Sequence, residues 1–172
     1  KEAGNRTTGI IGFRNKDLVF WEEQFGRYCD NLIVCTDDGS YGKPGFVNAA
    51  LQEVLHNDRP DLVVAIGPLP MMNACVETSR PFGVKTMVSL NAIMVDGTGM
   101  CGSCRVTVGS EIKFACVDGP DFDGHQVDFK ELLLRQKRFK GEEAAASSDY
   151  AHVCNVEKLL FEQGKKNYKK YK

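Results

Sequence analysis

The chain lacks the features that mark several common protein classes. Its charge is balanced, with 22 Lys and Arg against 23 Asp and Glu for a formal net charge of −1. No basic excess draws it to nucleic acid or to anionic lipid. It has no long apolar run: stretches such as Leu62–Ile66 fall far short of the roughly 20 residues a membrane span needs. Lys1, Glu2, Ala3, Gly4 and Asn5 are polar and do not read as a secretion signal. The three His are scattered, and G-x-G-x-x-G occurs nowhere. What is present is a globular composition, 42% apolar and 26% charged, in a 172-residue chain the size of one domain. There are also seven Cys. An odd number without a secretion signal argues against a disulfide framework. In a reducing compartment, clustered thiols point to metal or catalysis.

The first 92 residues alternate strand-like and helix-like stretches. Thr7–Phe13, Asn31–Thr36, Leu62–Ile66 and Val84–Leu90 read as buried strands. Asp17 can cap a helix carrying Leu18, Trp21, Phe25 and Tyr28 at helical spacing. Phe46–His56 reads as a helix with Val47, Ala50, Leu51, Val54 and Leu55 on one face. Pro70 suits the first turn of a helix whose Met71, Met72, Cys75 and Val76 face inward. Apolar strands separated by amphipathic helices predict an α/β fold with a parallel sheet covered on both faces. Such sheets bind ligands beyond the carboxyl ends of their strands. Here those ends carry Arg14, the polar Asp37–Gly45 loop and Gly67–Met72.

The Gly67-Pro68-Leu69-Pro70-Met71-Met72 turn opens a helix whose free N–H groups suit a pyrophosphate or a nicotinamide amide. Asp37 and Asp38 stand where carboxylates bind ribose hydroxyls and repel a 2′-phosphate, favouring NAD over NADP. An Asx-type turn is the plain alternative for both.

Residues 93–127 change character, with frequent Gly, clustered Cys and one hairpin, Arg105–Val108 with Glu111–Ala115 turning at Gly109-Ser110. Cys101 and Cys104 stand in C-x2-C spacing, Asp96 lies four intervening residues before Cys101, and Cys116 follows Cys104 with eleven between. Plant-type [2Fe–2S] sites use C-x4-C-x2-C and a distant Cys; here Asp takes the first place, an anion that reaches iron through oxygen. Gly97, Thr98, Gly99, Gly102 and Ser103 give the loop the freedom to wrap a cluster and aim amides at its sulfurs. Spacing alone leaves zinc and structural thiols open. Cys29, Cys35, Cys75 and Cys154 read as packed hydrophobes. His56 and His152 read as solvated, and His125, Asp121 and Asp123 as turn residues. Residues 128–172 read as a helix begun by Asp128 with Glu131 in capping-box spacing and Phe129, Leu132, Leu133 and Phe139 on its buried face. A small, polar Gly141–Asp149 linker and a solvated tail with five Lys and two Tyr in Lys165–Lys172 follow.

The runs Met94-Val-Asp-Gly-Thr-Gly-Met-Cys-Gly-Ser-Cys-Arg-Val106 and Phe114-Ala-Cys-Val-Asp-Gly-Pro-Asp-Phe-Asp-Gly-His125 closely resemble the small subunit of NADH-dependent reduced ferredoxin:NADP+ oxidoreductase, also known as sulfide dehydrogenase. That family is related to the electron-transfer subunit of dihydroorotate dehydrogenase B. Thr36–Phe46 and Val64–Met72 resemble its nucleotide-side loops. The resemblance covers about residues 1–138.

It implies a ferredoxin-reductase-type NAD-binding α/β domain at 1–92 and a [2Fe–2S] segment at 93–127 on Asp96, Cys101, Cys104 and Cys116. Gly67, Pro68, Pro70 and Met71 match the nicotinamide-side turn, Asp37 and Asp38 the adenosine ribose position, and Arg14 a weaker nucleotide contact. The implied activity passes electrons between NADH, FAD and the cluster and to or from a large flavin and iron–sulfur subunit, with ferredoxin or a similar carrier as a further partner, in the cytoplasm. No side chain of this chain need act as nucleophile or general base.

The family's flavin barrel and the central first strand of its NAD domain have no counterpart here, which reads as a C-terminal fragment that is inactive without the flavin domain. Thr7–Phe13 and Leu62–Ile66 are then expected either to pair directly or to leave a gap. The rivals are the electron-transfer subunit of dihydroorotate dehydrogenase B or of a cytosolic hydrogenase, against the first of which Asp96 argues, and a zinc-stabilised structural or binding module.

Overall fold

The computed structural model describes residues 3–148. By contact pattern the described residues divide after Leu132 into two units. In the first, β1 (Thr8–Phe13) runs parallel to β2 (Asn31–Thr36), with Ile10 opposite Ile33. Two glycines let neighbours approach β1 closely: a Cβ on Gly9 would stand 2.6 Å from Cys29 Sγ, and one on Gly12 would collide with Val47. α1 (Glu22–Tyr28) lies between these strands in sequence, and β3 (Lys43–Pro44) adds two parallel residues beside β2. α2 (Val47–Asn57) buries Ala50, Leu51 and Leu55, the stripe expected from the sequence.

β4 (Leu62–Ile66) leads into α3 (Leu69–Ser79), which packs on α2 and buries Leu69, Met72, Cys75 and Val76. β5 (Lys85–Ser89) is parallel to β4. The α2 end is tied across to the turn after α3: Arg59 donates to the Phe82 carbonyl at 3.0 Å, and the His56 ring meets Phe82 edge-on. The hairpin of β6 (Arg105–Val108) and β7 (Glu111–Phe114) follows as expected. β8 (Asp121–Asp123) pairs antiparallel with β5, so the segment after Gly97 returns to the sheet. α4 (Phe129–Gln136) starts with the anticipated cap, Asp128 Oδ1 accepting the Glu131 amide at 2.9 Å.

Several expectations are corrected. Leu18, Trp21, Phe25 and Tyr28 form no continuous buried stripe. Lys16–Leu18 is a single 3₁₀ turn, Trp21 adopts a left-handed conformation at φ 58°, and the helix begins only at Glu22. All four side chains are exposed, Trp21 by 68%. The sheet is interrupted between β1 and β4, the second of the two outcomes expected for those strands, but it is not covered on both faces throughout. β1 and β4 belong to separate three-stranded sheets, β1-β2-β3 and β4-β5-β8, and do not pair; residues 3–7 form no strand. Along β4 only Val63 and Ala65 are buried, whereas Leu62, Val64 and Ile66 face outward. A run of five apolar residues hides this alternation, because its pattern is the same for a strand buried on one face or two.

Asp121 lies on a strand that buries Phe122, not in a turn; Asp123 does make the turn, accepting the His125 amide at 3.0 Å. Phe139 is exposed, and residues 140–148 are helical where a linker was expected. Cys154, His152 and the lysine-rich tail lie outside the described residues. Among those residues no helix is long and apolar enough to cross a membrane.

Candidate metal centre and nucleotide loops

The loop between β5 and β6, which carries Asp96, Cys101 and Cys104, and the turn after β7, which carries Cys116, bring the four residues expected to hold metal into two pairs. The first is Asp96 with Cys101. Thr98 donates its amide to Asp96 Oδ1 at 2.9 Å. That bond first, then contacts from the Cys101 thiol, the Thr98 hydroxyl and the Cys101 amide, hold the Asp96 carboxyl below its ordinary range. Cys101 Sγ receives the Ser103 hydroxyl, the Ser103 amide and the Asp96 amide. These donors hold the exposed Cys101 thiol below its usual value, the Ser103 hydroxyl most strongly. The second pair is Cys104 with Cys116. Their thiols are hydrogen-bonded to each other, which pushes Cys116 up, while the Gly99 amide donates to the Cys116 sulfur and opposes the rise. Cys104 is buried and Cys116 half-buried.

Among the described residues no three His, Cys, Asp or Glu converge on one point fit for a single metal ion. A two-plus-two arrangement is instead what a two-iron rhomb takes, with two protein ligands on each iron. The donor chemistry also suits such a group: three soft thiols, one anionic oxygen, and backbone amides already aimed at the sulfurs. The backbone takes this path because Gly97, Gly99 and Gly102 all have positive φ, which L side chains resist.

On the first sheet, Arg14, Asp37 and Asp38 do come together. The Asp37 amide donates to the Phe13 carbonyl at 2.9 Å and the Asp38 amide to the Arg14 carbonyl at 3.3 Å. Ser40 completes the stitch, its hydroxyl oxygen accepting the Lys16 amide at 2.8 Å. The Ser40 hydroxyl and amide both donate to Asp38 Oδ1, at 2.6 and 2.9 Å, and hold that carboxyl below its ordinary range. The Asx-type turn and the carboxylate facing outward therefore coexist. Thr36, fully buried, braces the other side of the loop by donating to the Tyr41 carbonyl at 2.6 Å.

Gly67 and Pro68 lie on the second sheet, after β4. Pro68 is the N-cap of α3, Pro70 lies in its first turn, and the Met71 methyl folds back over Gly67. The Cys75 thiol, pushed up to about 11 by burial, donates to Met71 Sδ at 3.6 Å. Ser40 and Ser103 are the residues missed as actors in the sequence, since neither hydroxyl's partner is adjacent to it in the chain. Asn15, whose Oδ1 is buried without a partner beside Arg14, was missed too.

Residues 91–128 match the iron–sulfur cluster binding domain of dihydroorotate dehydrogenase B. The chain is 50% identical over 143 residues to a dihydroorotate dehydrogenase B electron transfer subunit homolog of Thermotoga maritima, covering 83% of this chain and 50% of that protein. It is 50% identical over 147 residues to an uncharacterized protein from the adh 3′ region of Clostridium beijerinckii, covering 84% of this chain and 50% of that one. A solved structure of an NADH-dependent reduced ferredoxin–NADP oxidoreductase, described for flavin-based electron bifurcation, superposes with a TM-score of 0.78. It is 45% identical and covers 87% of this chain and 54% of that one. The chain thus spans about half the length of the curated relatives it matches. The resemblance read from the motifs and the ferredoxin-reductase-like α/β fold are both borne out.

Proposed function

We propose that this chain is the nucleotide- and cluster-binding part of an electron-transfer subunit in an NAD-dependent flavin and iron–sulfur oxidoreductase. The observation that carries the reading is the pairing of Asp96 with Cys101 and of Cys104 with Cys116 inside a segment that matches an iron–sulfur binding domain. Bound to the whole enzyme, NAD(H) and FAD would supply hydride transfer, and a [2Fe–2S] cluster held here would supply one-electron transfer, the proton of the hydride being released from the flavin.

The chain's own residues bind and tune. Asp96 and Cys101 hold one iron, Cys104 and Cys116 the other. The amides of Asp96, Gly99 and Ser103 offset the negative charge on the sulfurs. Asp37 and Asp38 take the adenosine ribose hydroxyls and disfavour a 2′-phosphate, Arg14 lies beside them, and Gly67, Pro68, Pro70 and Met71 receive the nicotinamide side. We assign no flavin ligand within residues 3–148. The partner is a larger flavin and iron–sulfur subunit. Met94, Val95, Met100 and Val117, all exposed and each within two residues of a ligand, give the cluster loop an apolar rim suited to it.

The test is anaerobic purification of the chain followed by iron, sulfide and visible spectroscopy. Iron and acid-labile sulfide in equal amounts, with a reduced-state paramagnetic signal that Cys104→Ala abolishes, is the expected result. A colourless protein carrying one zinc overturns it. Asp96→Cys should retain the cluster and Asp96→Ala should lose it; an unchanged spectrum in Asp96→Ala removes Asp96 from the ligand set.

A further inference from the structure

Asp37 and Asp38 are neighbours in sequence, yet their carboxylates stand in different surroundings. Asp38 Oδ1 accepts the Ser40 hydroxyl at 2.6 Å and the Ser40 amide at 2.9 Å. A carboxylate oxygen offers about two lone-pair sites, so these donors fill it. The Asp37 carboxylate is exposed, and among the described residues no hydrogen bond or ion pair holds it. Its backbone is fixed instead. The Asp37 amide donates to the Phe13 carbonyl at 2.9 Å, and Thr36, just before it, donates its hydroxyl to the Tyr41 carbonyl at 2.6 Å and accepts the Tyr41 amide at 3.0 Å. Ser40 adds a further tie, its oxygen accepting the Lys16 amide at 2.8 Å. One hydroxyl thus occupies Asp38 and joins the loop after β1 to the loop after β2. A ribose presents adjacent hydroxyls to such a loop, and a carboxylate with both oxygens open can accept them together. Asp37 has both oxygens open, and Asp38 has only Oδ2.

We propose that Asp37 is the carboxylate that takes the adenosine ribose hydroxyls and rejects a 2′-phosphate, and that Ser40 is a positioning residue that withholds Asp38 from that role and fixes the loop presenting Asp37. This rests on the nucleotide reading above and narrows it from two carboxylates to one. A 2′-phosphate arriving at Asp37 meets an anion that no protein donor offsets. At Asp38 it meets an anion whose charge is partly taken up by the two Ser40 donors. Arg14 is the rival group at this loop, since its carbonyl accepts the Asp38 amide at 3.3 Å and a guanidinium here would welcome the 2′-phosphate. Ser40 itself touches no nucleotide.

The experiment is an NMR titration of the full chain with ADP-ribose and with 2′-phospho-ADP-ribose, which carry the recognised part of the nucleotide and need no flavin. The parent should prefer ADP-ribose. Asp37→Asn should lower that preference about tenfold, the effect of one unit charge a few ångströms away. Asp38→Asn, whose amide oxygen still accepts from Ser40, should lower it only about twofold. Ser40→Ala should weaken ADP-ribose about threefold, as loss of a hydrogen bond does, and Ser40→Thr should restore it. In the Ser40→Ala background Asp38 is released, so adding Asp38→Asn should then lower the preference as much as Asp37→Asn does in the parent; this coupling is what a merely structural serine would not show. Should Asp37→Asn not fold, Asp37→Ser carries the same comparison. Equal effects of Asp37→Asn and Asp38→Asn in the parent overturn the proposal, as does an Asp38→Asn effect that Ser40→Ala leaves unaltered. A parent that prefers 2′-phospho-ADP-ribose overturns it in favour of Arg14. Binding of neither compound by the folded parent is the separate failure, that of the nucleotide reading itself.

Discussion

At the scale of single residues, the chemistry lies in hydroxyls that no spacing rule singles out. Ser40 is the clearest case on the nucleotide side. It ties the loop after β1 to the loop after β2 and donates twice to Asp38. These bonds favour the carboxylate, so the folded-state value of Asp38 is lowered. Their contribution to stability is present above the ordinary carboxylate range and is lost as pH falls through the lowered value of Asp38 itself. Ser40→Ala should move the Asp38 titration, followed by carbon-13 NMR of the carboxyl, upward toward the ordinary range; an unmoved midpoint would mean the Ser40 bonds do not persist in solution. The C-x2-C run could be read from sequence because thiols are few enough, seven in 172 residues, for their spacing to carry information, and the Asp37-Asp38 pair because it follows directly on a strand. Ser103 is legible in the sequence only as a small residue of the loop.

Elements were legible where periodicity and burial agree. Of the side chains their spacing marks, α2 buries Ala50, Leu51 and Leu55 and α3 buries Met72, Cys75 and Val76, with Val47, Val54 and Met71 half-buried, and β2 has the bounds expected. Legibility failed where a local pattern has two meanings. The aromatic residues of 18–28 repeat at helical spacing, yet the left-handed Trp21 interrupts the helix and leaves them in solvent. Asp-Phe-Asp looks like turn chemistry, yet Phe122 is buried and its flanking aspartates lie on a three-residue strand against β5. The join between that strand and α3 supplies a test. A Cβ at Gly124 would stand 2.5 Å from Val76 Cγ2, 3.0 Å from Val88 Cγ1 and 3.1 Å from the Thr86 carbonyl. Two of those three neighbours belong to strand β5, one of them a backbone atom, so the site has little room to give. Gly124→Ala should therefore cost about 1–3 kcal/mol in chemical denaturation, the range for overpacking a filled core. A cost below about 0.5 kcal/mol would show that β8 is not seated on β5 and α3 in solution.

At the scale of the molecule, the two sheets differ in what they leave open. β1 and β4 are each paired along one edge alone, and β4 presents Leu62, Val64 and Ile66 outward while Val63 and Ala65 face the core under α3. Two adjacent apolar sets on one strand should thus behave differently. Val64 is 58% and Ile66 70% exposed, so Val64→Thr with Ile66→Thr removes little buried area and should change stability by no more than about 0.5 kcal/mol, as surface substitutions do. Fluorescence of a dye that binds exposed apolar surface should fall in the same variant. Val63→Thr places a hydroxyl where the side chain is nearly enclosed, and should cost about 1–3 kcal/mol. The comparison is made by urea denaturation at two protein concentrations tenfold apart. If the outward pair costs as much as Val63→Thr at both concentrations, that face is covered within the chain and the open second sheet is wrong. If the cost appears only at the higher concentration, the face is covered by another copy, because an apolar strip on a half-paired strand is the kind of surface that draws a second chain.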